Sequence, residues 1–104
     1  MNNEENREYS NWLVEYAKGL HQPSLYQVVV HNDDFTPLGF VVNVLERFFY
    51  MDRAQAVAIA MAAHVKGMAQ CGIFSKDLAE SKVSQVLDYA KLHHYPLSCS
   101  MEAA

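Results

Sequence analysis

The sequence predicts a small two-layer α+β domain: a three-stranded antiparallel sheet with three helices packed on it, in the order β-α-α-β-α-β. Three observations carry this expectation. Tyr26-Gln27-Val28-Val29-Val30-His31 is rich in β-branched residues and reads as a buried strand. Two later short runs, Ala69–Phe74 and Leu97–Met101, read as further strands. Between these runs lie three segments with helical spacing and helix-start residues.

The elements follow in order. Residues 1–24 form a polar arm, expected to be mostly mobile, carrying Glu4, Glu5, Arg7, Glu8, Glu15 and Lys18 and ended by Pro23. Trp12, Leu13 and Tyr16 allow a short helix, and the aromatic Tyr9, Trp12 and Tyr16 give the arm points for transient docking. Residues 25–104 form the core domain. After the first strand, Thr36 is placed to cap a helix and Pro37 suits its first turn, where a missing N–H costs nothing. Phe40, Val41, Val44, Leu45, Phe48 and Phe49 give that helix one apolar face. Asp52 starts a second helix, and Gln55 completes a capping-box pattern with Asp in place of Ser or Thr. The second helix has two stripes, Val57-Ala58-Met61-Val65 and Ala56-Ala60-Ala63-His64, and ends at Gly67. The alanine stripe either packs closely on a neighbouring helix or leaves room for something to lie against it. Ser75 caps a third helix whose core face is Leu78, Ala79, Val83, Val86, Leu87 and Ala90. Pro96 releases the last strand.

Length and charge narrow the function. A chain of 104 residues is one domain, and a hydrophobic share of 51% suffices for a core. The net charge of −4 argues against a nucleic-acid partner, which needs a basic surface. No apolar run approaches the ~20 residues of a membrane span, and the acidic start lacks a signal-peptide apolar segment, so a cytoplasmic protein is expected. In that reducing compartment Cys71 and Cys99 are expected as buried free thiols.

The run His31-Asn32-Asp33-Asp34-Phe35-Thr36-Pro37 is the most informative stretch. A turn needs one Asp or Asn. Three in a row at a strand end add negative charge and acceptors suited to a cation with several donors, such as a primary ammonium.

Asn32-Asp33-Asp34-x-Thr36-Pro37, Ala63-His64-x-x-Gly67, Cys71-Gly72-Ile73-Phe74 and Tyr95-Pro96-Leu97, in this order, resemble the ClpS adaptor family across about residues 25–104. The resemblance implies a monomeric adaptor, without cofactor or metal, that recognises proteins by their N-terminal residue. It implies delivery of that cargo to the N-terminal domain of the unfoldase ClpA and its partner protease ClpP. The cargo is an N-terminal segment beginning with Phe, Tyr, Trp or Leu. By resemblance, Asn32, Asp33 and His64 receive the α-ammonium with support from Asp34. Thr36, Leu38, Val41, Ile59, Ala60, Ala63 and Leu97 wall the apolar pocket, and Asp77, Glu80 and Lys82 meet the unfoldase. Taken from spacing alone, those last three form a solvated first turn with favourable acidic charge. Accepting from an ammonium requires a neutral imidazole, so binding is expected to weaken in acid.

The chain departs from the family's usual pattern in the pocket. Ala60 stands where a larger residue, often Met, is usual, Ala63 where Val is common and Leu38 where Met is common. Smaller walls predict a larger pocket that favours bulky aromatic guests, because a small guest leaves volume unfilled, unless Met61 or Met101 swings in.

Three rival readings remain open to these residues. Asp33, Asp34 and His64 could serve as acid and base, but no nucleophile motif or phosphate loop accompanies them. Cys71, His93, His94 and Cys99 could bind metal, but lack Cys-x-x-Cys or His-x-x-x-His spacing. A peptide-binding module without N-terminal selectivity is the third.

Overall fold

The computed structural model describes residues 24–104. The polar segment expected as an arm over 1–24 lies, apart from Ser24, outside the described residues. The elements are β1 (Leu25–His31), α1 (Leu38–Phe49), α2 (Arg53–Lys66), β2 (Met68–Ser75), α3 (Lys76–Leu92) and β3 (Ser98–Ala103). The sheet order is β2-β1-β3, and both pairings are antiparallel. The expected class and element order hold; β1 ends at His31 as expected, and the other strand boundaries shift by one or two residues.

β1 occupies the centre of the sheet, which accounts for its run of three buried valines, Val28 to Val30. Val28 and Val30 join Cys71, Cys99 and the helices in the core. The β1–β2 register shifts between Val28 and Val29, so Cys71 falls between the partners Gln70 and Gly72. This is a bulge, and it sharpens the local twist of the sheet. The two cysteines are free and buried, one on each strand flanking β1.

α1 buries Val41, Val42, Val44 and Leu45. Tyr50 ends it in the left-handed region (φ 55°), its N–H bonded to the Leu45 carbonyl. Lys82 of α3 reaches across, and its Nζ donates to the Phe48 carbonyl at 2.6 Å. That satisfies one of the orphan carbonyls at the end of α1. α2 starts as expected: Asp52 Oδ1 accepts from the Gln55 N–H at 2.8 Å. It ends at Gly67 (φ 94°), whose N–H donates to the Ala63 carbonyl. α3 is capped by Ser75 Oγ, which accepts from the Leu78 N–H at 3.4 Å.

Two helix details, at Thr36 and on α3, differ from expectation, and one on α2 was left open by the sequence. Thr36 does not cap α1; Pro37 takes that position with no side-chain hydrogen bond. The Thr36 hydroxyl is drawn back to Asp33 Oδ2 instead, at 2.7 Å. On α2, Ala56, Ala60 and Ala63 are buried while Val57, Met61 and Val65 remain exposed. The small methyls let α2 pack closely, so the bulkier stripe is left outward. On α3, Leu78 and Leu87 are exposed and Lys82 is buried in their stead. An aromatic group ties α1 to α3: Phe40 stacks on Tyr89 with centroids 5.3 Å apart, and Asn43 Nδ2 donates to the Tyr89 hydroxyl at 3.0 Å.

Candidate functional site

One cavity, of about 210 Å³, opens where β1 ends. It is lined by Val30, His31, Asn32, Asp33, Asp34, Thr36, Leu38, Val41, Ala60, Ala63, His64 and Leu97. β1 supplies its end, the loop to α1 its rim, α1 and α2 its sides, and the residue before β3 closes it. Polar atoms gather at the mouth, where Asn32, Asp34 and His64 are exposed. The hollow is apolar: Val41, Ala60, Ala63 and Leu97 are all buried.

The loop that carries the rim is organised by Asp33. Its Oδ1 accepts from the N–H groups of Phe35 (2.8 Å) and Thr36 (2.7 Å), and its Oδ2 from the Thr36 hydroxyl. This Asx-type turn reverses the chain without glycine. Partial burial pushes the carboxyl's pKa upward, but the three hydrogen bonds outweigh it and hold Asp33 below its ordinary 3.8. The carboxylate stays charged at the mouth and keeps lone-pair capacity for a further donor. The opposite side of the mouth is fixed by the Asn32 N–H, which donates to the Gly67 carbonyl at 2.8 Å. That bond clamps the loop to the end of α2, three residues past His64. Beneath, His31 Nε2 lies 2.7 Å from Ser100 Oγ, pinning the end of β1 to β3.

Most of the expected site residues converge here. Asn32, Asp33, Asp34 and His64 share one mouth, and Thr36, Leu38, Val41, Ala60, Ala63 and Leu97 wall one hollow. Ile59 does not line it. It precedes Ala60 by one position, about 100° round the helix, and packs against the main core instead. Val30 and His31 line the cavity without having been singled out as walls. Their position as the last two residues of a strand leading into the acidic loop was the available signal. Met61 and Met101 do not line it either. Met61 is exposed and Met101 packs on the core, so neither refills the space that Ala60 and Ala63 leave.

On the N-terminal half of α3, exposed Asp77 and Glu80 border a shallow groove with Ser81, Ser84 and Gln85. Lys82 is not on that free surface; it is buried, bonded to the Phe48 carbonyl, with its Nζ 4.8 Å from the Tyr50 ring centroid. Among the described residues no three His, Cys, Asp or Glu side chains come together as metal ligands.

A family model described as "ATP-dependent Clp protease adaptor protein ClpS" matches residues 21–100. The chain belongs to the ClpS family. A ClpS adapter protein of Alkalilimnicola ehrlichii is 42% identical over 98 residues, covering 94% of this chain and 92% of that one. One from Hydrogenovibrio crunogenus is 56% identical over 80 residues, 77% of each. Among solved structures, Agrobacterium tumefaciens ClpS2 bound to L-phenylalaninamide matches with TM-score 0.78 and 35% identity, over 80% of this chain and all of that one. As a ClpS protein, this chain is a non-catalytic adaptor of the Clp protease. The ClpS blocks Asn32–Pro37 and Ala63–Gly67 are thus the two segments that frame the cavity mouth, while Leu97 closes the hollow.

Proposed function

We propose that this ClpS chain binds the free α-ammonium and bulky apolar first side chain of a polypeptide in the cavity at the end of β1, and hands that polypeptide to the ClpA unfoldase of ClpAP. The observation that carries this is the meeting of an acidic rim and an apolar hollow in one opening. L-Phenylalaninamide, the ligand of the Agrobacterium relative, combines an α-amine with an aromatic side chain and carries no carboxylate. It is a small mimic of such a polypeptide start.

Asn32, Asp33 and His64 accept from the three ammonium donors, in part through water, and Asp34 adds negative potential. Charge-assisted hydrogen bonds contribute about 1.5–3 kcal/mol each. Burial of one large apolar side chain contributes about 1.5–3 kcal/mol. These sum to roughly the −8 kcal/mol of a micromolar complex before ordering costs. Such an affinity suits a carrier that must release its cargo. Since Ala60 and Ala63 present only methyls to the hollow, Phe, Tyr and Trp should fill it better than Leu. Asp77 and Glu80, on a different part of the molecule, would leave cargo and unfoldase free to bind together in the cytoplasm.

The test is a peptide series varying only the first residue, with free and acetylated amines side by side. Tight binding of free Phe, Tyr and Trp starts, abolished by acetylation, is expected. Equal binding of acetylated peptides would instead mark a module without N-terminal selectivity.

A further inference from the structure

Phe35 takes no part in the hollow or in the ammonium rim. Its side chain is 78% exposed, although its neighbours Asp34 and Thr36 both line the cavity. The position is not loose: the Phe35 and Thr36 N–H groups are both held by Asp33 Oδ1. The ring therefore stands in solvent on a fixed turn, between two residues that line the cavity. Leu38, three residues on, is 40% exposed and lines the same opening. Two large apolar side chains thus stand in water on one lip of a site whose other polar and apolar groups are already employed.

The geometry of a bound polypeptide start brings a partner to that lip. The Cα of the first residue is tetrahedral. With its ammonium at the rim and its side chain in the hollow, its carbonyl must leave outward. The second Cα follows about 3.8 Å further on, so the second side chain stands outside the hollow, at the rim.

We propose that Phe35, with Leu38, forms a second subsite that receives an aromatic or long unbranched apolar side chain at the second position of the bound polypeptide. This rests on assigning the cavity to the α-ammonium and first side chain. A phenyl ring suits the task, because it offers a broad apolar face and edge for offset or edge-to-face packing. It has only two side-chain torsions to immobilise.

The test uses Phe-X peptides with X set to Gly, Ala, Leu, Phe or Trp. They are titrated against the full chain and its Phe35→Ala, Phe35→Tyr and Val65→Ala variants. Each peptide is also run with an acetylated amine. The parent should bind X = Trp or Leu about two- to tenfold more tightly than X = Gly. Phe35→Ala should bring that ratio close to one, while Phe35→Tyr and Val65→Ala keep it. Val65 is 76% exposed and adjoins His64, so it controls for nonspecific apolar surface. A parent indifferent to X, or a ratio that survives in Phe35→Ala, overturns the second subsite. If binding still requires the free amine in those cases, the assignment of the main cavity stands. Equal binding of acetylated peptides would overturn both.

Discussion

The Asp33 carboxylate accepts three hydrogen bonds from its own loop, and they hold its pKa below 3.8 despite partial burial. A carboxyl with a depressed folded-state value binds fewer protons folded than unfolded near that pH. Its contribution to stability is therefore present above about pH 3.8 and lost as the pH falls through the folded value. Asp33→Asn keeps an acceptor and removes the charge. Its melting temperature should fall below the parent's at pH 6, and the two should converge as the pH falls through the carboxyl's lowered folded-state value; a constant gap at every pH would refute the charge's part. Ala60 makes a separate point at the same scale. It is 1% exposed and lines the hollow. Ala60→Met should fill that space, weakening binding of a Trp-start peptide about tenfold or more relative to a Leu-start one. Calorimetric titration of the two peptides reads the reversal directly.

α2 brings Ala60, Ala63 and His64 to the cavity, so its ends matter to the site. Removing its cap with Asp52→Ala should lower unfolding free energy by about 1 kcal/mol, read as a shifted denaturant midpoint with unchanged slope. Much of this element was legible beforehand. Asp52, Gln55 and Gly67 act locally, through backbone groups a few residues away, and such signals survive in a single sequence. What failed depended on competition at a distance. The Thr36 hydroxyl had two possible partners, the α1 terminus and Asp33, and spacing could not choose between them. Lys82 sits on the inward face of α3 because the Phe48 carbonyl needs a donor, a demand set by a residue 34 positions away. By sequence Ile59 and Ala60 are both candidate walls, and only the rotation of α2 about its axis decides that Ala60 faces the cavity.

Across the whole molecule, Cys71 and Cys99 sit on opposite sides of β1, and burial pushes both thiols up to about 12. Their folded-state values exceed the ordinary 9.0, so this part of the stability is complete below about pH 9 and is lost as the pH rises toward 12. At pH 8 a thiol reagent should reach both only through opening of the domain. Both should react at one common rate that climbs with denaturant, followed by mass spectrometry; separate, denaturant-independent rates would contradict a single core. The hydrogen bond from the Asn32 amide to the Gly67 carbonyl reaches further than its 2.8 Å. It makes the acidic loop and the histidine-bearing helix a single jaw, already set before any guest arrives. Capture should then run at the speed of encounter, in one kinetic phase without a slow closing step, and guests should differ chiefly in how long they stay.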